Sequence, residues 1–234
     1  MQRAMCGRYA ITLPPEAMRG FFRYQEQPNF PSRFNVAPTQ PVPIMRLERA
    51  ADGVARRHFV LVRWGFLPSF VKDVRTFPLI INARAEGLSD KPSFRAAIRR
   101  RRCLFIADAF YEWRREGEPK GLAKPFLIKR ADGQPFGLAG LWEHLLSPDG
   151  GEIETGCIVT VAANGEMAAV HDRMPAIIEP ADFDAWLALD EDKEASAAAL
   201  SLLRPAPNGT LALTPIGRAV NKVANDGPEL WAPP

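Results

Sequence analysis

Histidine and cysteine are scarce in this chain, three of each in 234 residues, and their scarcity limits its chemistry. The cysteines, Cys6, Cys103 and Cys157, are odd in number, widely separated and never spaced as Cys-x-x-Cys. That excludes a disulfide framework and a structural zinc site and suits a reducing compartment. No apolar run approaches the roughly 18 residues of a membrane-spanning helix, and the first residues lack the apolar stretch of a secretory signal. A soluble cytoplasmic protein is expected, with no membrane contact, no metal and no cofactor. Repeats and low-complexity tracts are absent as well. A net charge of +3 permits an anionic partner without demanding one. The densest basic run, Arg99-Arg100-Arg101-Arg102, reads as a solvated helix end, where the helix dipole favours cations.

Apolar residues make up 47% of the chain, enough for one sizeable core and a single domain, expected to be a monomer. Strand-like runs occur at residues 8–12, 42–47, 55–64, 103–107, 110–114, 125–129, 136–142, 157–163 and 211–214. Turns at 51–53, 132–133 and 148–151 separate some of them. Helical spacing covers residues 15–22, 93–102, 180–189 and 195–203. Residues 30–40 carry too much proline for regular structure and read as ordered loop. Residues 77–81 read as an apolar strand that ends in the polar group Asn82-Ala83-Arg84-Ala85-Glu86. Six or more strands with peripheral helices predict a sheet-centred α+β domain.

The stretch with the most unusual chemistry is Met5-Cys6-Gly7-Arg8-Tyr9. A cysteine that becomes the first residue carries a thiol and an α-amine on adjacent carbons. Such an amine titrates near ~8, so part of it is neutral and nucleophilic at pH 7. It can condense with an aldehyde, and the neighbouring thiol can then close a five-membered thiazolidine in an intramolecular step. This requires residues 1–5 to be a removed leader or a misplaced start, leaving a domain over residues 6–234. Cys6 also reads as a small apolar residue entering a strand. Glu112, between two aromatics, is either a rim residue or a carboxyl held in an apolar pocket with a raised pKa. His171, in His171-Asp172-Arg173, is a proton handler or part of a surface turn. Residues 64–70, with three aromatics around a glycine and a proline, form a core corner or a base-stacking platform.

Six ordered motifs carry a resemblance: Cys6-Gly7-Arg8-Tyr9, Phe34-Asn35-Val36-Ala37-Pro38-Thr39, Arg63-Trp64-Gly65-Phe66-Leu67-Pro68, Asn82-Ala83-Arg84-Ala85-Glu86, Tyr111-Glu112-Trp113 and His171-Asp172-Arg173-Met174-Pro175. Together they resemble the SRAP family, the SOS-response-associated peptidase proteins. The resemblance implies a curved, barrel-like, mostly antiparallel sheet crossed by one DNA groove. It implies a sensor of abasic sites in single-stranded DNA that acts in the DNA damage response, with abasic-site lyase and self-cleaving peptidase activity besides. Cys6 would be the crosslinking nucleophile, and Asn82 would orient the sugar and the amine. Glu112 would move protons in ring opening and reversal, and His171 would assist imine formation and strand scission. Arg8, Arg84 and Thr160 would hold phosphates, while Asn35 and Pro38 would shape the floor. The segment at Trp64 would form an apolar wedge, and Phe70 stands where the family pattern has tryptophan. Two rival readings remain: an N-terminal-nucleophile cysteine hydrolase and a non-catalytic single-stranded DNA binder.

Overall fold

The computed structural model describes residues 6–71, 73, 75–115, 123–146, 150–189 and 193–234. In chain order the elements are β1 (Tyr9–Ile11), α1 (Pro15–Phe22), β2 (Arg33–Val36), β3 (Pro41–Arg49), β4 (Ala55–Trp64), β5 (Asn82–Arg84), α2 (Pro92–Arg100) and β6 (Arg102–Ala107). They continue with β7 (Ala109–Arg114), β8 (Lys124–Arg130), β9 (Phe136–Leu146), β10 (Glu152–Ala162), β11 (Arg173–Pro175), β12 (Ile177–Ile178), α3 (Phe183–Leu187), α4 (Lys193–Ser201) and β13 (Leu211–Pro215). The strands form two sheets, an α+β arrangement. Strands β10, β4, β3, β6 and β9 close into a small barrel, because β10 pairs with both β4 and β9. The second sheet runs β13-β8-β7-β1-β2. Among the described residues no helix is long and apolar enough to cross a membrane.

The barrel is narrow, and glycine makes it so. A Cβ at Gly140 of β9 would lie 2.5 Å from the Phe105 ring and 3.0 Å from the Cys103 sulfur, and one at Gly156 of β10 would lie 3.0 Å from Phe105. Phe105, Leu104, Ile44, Val62, Leu141 and Val159 are fully or almost fully buried there. Strand β6 passes into β7 through one residue, Asp108, where the chain crosses from barrel to second sheet. The Asp108 Oδ2 accepts the N–H of Thr12 (2.8 Å), the Thr12 hydroxyl (2.6 Å) and the N–H of Leu13 (2.9 Å). This ties the crossing to the chain just after β1.

The hairpin β3–β4 runs in register from Pro41↔Arg63 to Arg49↔Ala55, around the expected turn, where Gly53 takes φ 78°. Other expectations need correction. Residues 30–40 are not all loop: β2 pairs antiparallel with β1, Tyr9 opposite Val36. Residues 77–81 form no strand and give one isolated bridge, Ile80 to Phe66. The strand is the polar triplet of β5, held parallel to β10 by Asn82↔Ile158, Ala83↔Val159 and Arg84↔Thr160. Burial of its backbone against β10, not side-chain hydrophobicity, makes it a strand. Arg102 starts β6 and is buried. The expected turn at 148–151 lies partly outside the described residues.

Candidate active site

Strands β1 and β7 pair through Tyr9↔Phe110 and Ala10↔Ala109, which brings the residues before β1 alongside Glu112. The Cys6 backbone N–H donates to Glu112 Oε1 in a very close contact. Both side chains are out of solvent, and Cys6 has no exposure at all. Cys6 also takes φ 44°, the left-handed region that costs a residue bearing a Cβ roughly 1 kcal/mol or more. Glu112 is raised to about 7, chiefly by burial, against the lowering effect of the Cys6 and Trp113 N–H groups. Burial, reinforced by the Glu112 charge, pushes the Cys6 thiol well above its usual value. The pocket reading of Glu112 is therefore the correct one.

A cleft of about 700 Å³ opens beside Glu112, walled by Trp113, Ala163, Val170, His171 and Asp172 among others. A second, of about 550 Å³, contains Asn82, Arg84, Lys91, Thr160 and Arg173 and shares His171 and Asp172 with the first. His171 thus stands where the two meet. Its Nδ1 accepts the Arg173 N–H at 3.1 Å and lies 2.9 Å from Asp172 Oδ1. The first contact suits a neutral ring and the second a protonated one. Both amide atoms of Asn82 are buried and, among the described residues, lack a hydrogen-bond partner. Leaving such groups unpaired costs about 1–3 kcal/mol each, so they form an unfilled donor and acceptor pair at the cleft.

Four of the DNA-binding expectations change. Trp64 is wholly buried, its indole N–H donating to the Ile81 carbonyl at 3.0 Å and its ring edge-on to Tyr9 at 5.0 Å. It is a core residue and presents no face to a base. The exposed apolar group here is instead Phe70, 57% accessible, with Leu79 at 50% on the cleft wall. Asn35 is also fully buried and, like Pro38 and the half-buried Arg8, lines neither cleft. Its amide is spent on Arg8 and on the C-terminal segment. Thr160 lines the second cleft, but its hydroxyl is turned to the Ala83 carbonyl at 3.4 Å. Arg84 is exposed and lines the second cleft.

The sequence reading passed over Arg173 and Lys91. Arg173 holds Glu86 with contacts of 2.5 and 2.9 Å and the Thr160 carbonyl at 2.6 Å. Its place inside the His171-Asp172-Arg173-Met174-Pro175 motif was its only signal. Lys91 precedes α2 and reaches the cleft only because the first turn of that helix packs there, which no local pattern announces.

A closed barrel, an appended sheet and a buried cysteine–glutamate contact beside a two-part cleft define a distinct class of α+β domain. The family model described as SOS response associated peptidase (SRAP) matches residues 5–223. The chain belongs to the SRAP family. It is 35% identical over 97% of its length to the abasic site processing protein YoqW of Bacillus subtilis, 98% of which is covered. It is 32% identical to the abasic site processing protein YedK of Escherichia coli, over 98% of this chain and all of that one. A crystal structure of a Bacteroides thetaiotaomicron protein shares the fold, with a TM-score of 0.83 at 24% identity over 98% of this chain and all of that one.

Proposed function

We propose that this protein captures abasic sites in single-stranded DNA as a covalent thiazolidine on Cys6, once residues 1–5 have been removed. The observation that carries the reading is the contact between the Cys6 nitrogen and a buried Glu112 carboxylate raised to about 7. In the chain as written that nitrogen is a peptide amide. Freed, it would be an α-amine resting directly on a buried carboxyl group that can take its proton. The names of the relatives, abasic site processing proteins, point to the same substrate.

Glu112 takes a proton from the ammonium, and the neutral amine attacks the aldehyde of the ring-opened sugar. The carbinolamine loses water to give an imine, with Glu112 or His171 supplying the proton to the departing hydroxyl. The Cys6 sulfur then adds to the imine carbon while its proton passes to nitrogen, closing the ring. One water is released and nothing is oxidised. Asn82 supplies the donor and acceptor that hold the sugar oxygens, and Arg84 and Arg8 meet the phosphates, while Arg173 is held by Glu86 and the Thr160 carbonyl. Reversal, and strand scission through the imine, use the same proton carriers.

Intact mass after incubation with single-stranded DNA bearing one abasic site tests this. The expected result is a chain beginning at Cys6 that gains one DNA strand less one water and survives denaturant. A chain beginning at Cys6 that gains no mass would overturn the reading.

A further inference from the structure

The C-terminal segment after β13 crosses the outer face of the second sheet, and its hydrogen bonds converge on one place. Asp226 Oδ1 accepts the N–H groups of Phe34 (2.5 Å) and Asn35 (2.7 Å), and its Oδ2 accepts Arg33 Nε at 2.5 Å. The Asn35 amide nitrogen donates in turn to the carbonyls of Val220 (3.2 Å), Lys222 (3.0 Å) and Asn225 (2.8 Å). The remaining Asn35 atom, Oδ1, accepts Arg8 Nη1 at 3.0 Å, and the same Nη1 donates to the Val220 carbonyl at 2.9 Å. Arg8 lies two residues from Cys6. The segment therefore grips β2 through a carboxylate and closes both acceptors around one guanidinium nitrogen.

A buried asparagine with both its amide nitrogen and its amide oxygen committed is a rigid holder, since any rotation leaves a donor or acceptor unpaired. Asn225 and Asp226 fall beyond the residues 5–223 matched by the family model, so this holder is completed by a part of the chain that the family pattern does not describe.

We infer that Asp226 is a positioning residue: through Asn35 and the Val220 carbonyl it fixes the Arg8 guanidinium, and so aims that charge at a DNA phosphate next to Cys6. The inference rests on the reading that the site takes single-stranded DNA. Asp226 itself touches no substrate. A positioning role predicts that its effect on binding runs through the contact that Arg8 makes, whereas a merely structural role acts also without Arg8.

The test is a double-mutant cycle on full-length protein, with affinity for a labelled single-stranded oligodeoxythymidine of about 20 nucleotides measured across a salt series. Asp226→Asn keeps size but cannot accept from both Arg33 and the two backbone N–H groups. It is expected to weaken binding about 3–10-fold and to flatten the salt dependence by about 0.7, the value of one lost phosphate contact on a single strand. Arg8→Ala should do the same, and Asp226→Asn added to Arg8→Ala should change Kd less than about twofold. An Asp226→Asn protein with wild-type affinity and slope, or one whose loss multiplies with that of Arg8→Ala, overturns the inference. So does an Arg8→Ala protein with an unchanged slope, although crosslinking by mass would still stand or fall separately. If Asp226→Asn does not fold, Asp226→Glu, which keeps the charge on a stem one carbon longer, goes through the same cycle by the same criteria.

Discussion

At position 112 two demands conflict. Burial between aromatic neighbours disfavours a charge, while the Cys6 N–H donates to the Glu112 carboxyl and favours one, as the proposed chemistry requires. The compromise is a group that keeps its proton up to about 7 when folded, against an ordinary 4.5. Between those pH values the folded state binds more protons than the unfolded one. The stability from holding Glu112 neutral is full below 4.5 and is lost as pH rises through 7. The full cost, about 3 kcal/mol, is present above 7. Glu112→Gln should therefore unfold at a higher temperature than wild type at pH 8, with the difference gone by pH 4; equal melting at pH 8 would mean that the charge is not buried at a cost. The same substitution should slow adduct formation about 100-fold or more and remove the inflection near pH 7. Cys6→Ala should form no adduct and lose only about 1 kcal/mol of stability, since one small buried atom is removed; an adduct in that variant, seen by mass, would take Cys6 out of the chemistry.

Elements were legible where their pattern is self-contained. The β3–β4 hairpin announced itself by alternation and an Asp-Gly turn, and α1 by Pro15 in its first turn with Met18 and Phe22 buried on one face. β2 and β5 were not legible, because both are strands by virtue of a partner distant in sequence, β1 in one case and β10 in the other. Site residues followed the same division. Glu112 and His171 stand out from apolar sequence, whereas Lys91 reaches the cleft by helix packing alone. The arginine run is instructive at this scale. Arg101 pairs with Glu143 at 2.8 Å, and Arg102 turns inward. Its guanidinium donates to the Ile98 (2.7 Å) and Arg99 (3.1 Å) carbonyls that end α2, and to Trp186 (2.6 Å) and Ala188 (2.5 Å) around α3. It caps two helices from inside the domain. Arg102→Met fills similar space but strands those carbonyls, and should cost about 3 kcal/mol or more in urea unfolding. A loss below 1 kcal/mol would show that water replaces the guanidinium.

For the molecule as a whole, the candidate site lies on a seam. Cys6, Arg8 and Glu112 belong to the second sheet and the chain leading into it; Asn82, Arg84, Thr160, His171 and Arg173 belong to the sheet that contains the barrel or the chain leading into its strands. The capture proposed for this site needs both halves held at fixed spacing, because misplacement by about 1 Å at a reacting centre can cost 100-fold. Asp108 is the residue that fixes this spacing at the crossing. Burial raises its pKa despite its three hydrogen-bond donors, and its Oδ1 makes no hydrogen bond among the described residues. An asparagine can therefore keep all three bonds through its carbonyl oxygen and put its amide where Oδ1 stands. Alanine cannot, and leaves the Thr12 N–H, the Thr12 hydroxyl and the Leu13 N–H without their partner. Asp108→Ala should lose about 2–3 kcal/mol of stability and slow adduct formation at saturating DNA, while Asp108→Asn keeps most of both. If the alanine variant, measured well below its melting temperature, crosslinks at the wild-type rate, then the barrel and the second sheet keep their spacing without this tie. The rigidity of the seam would then have to come from the packing of Tyr9 against Trp64.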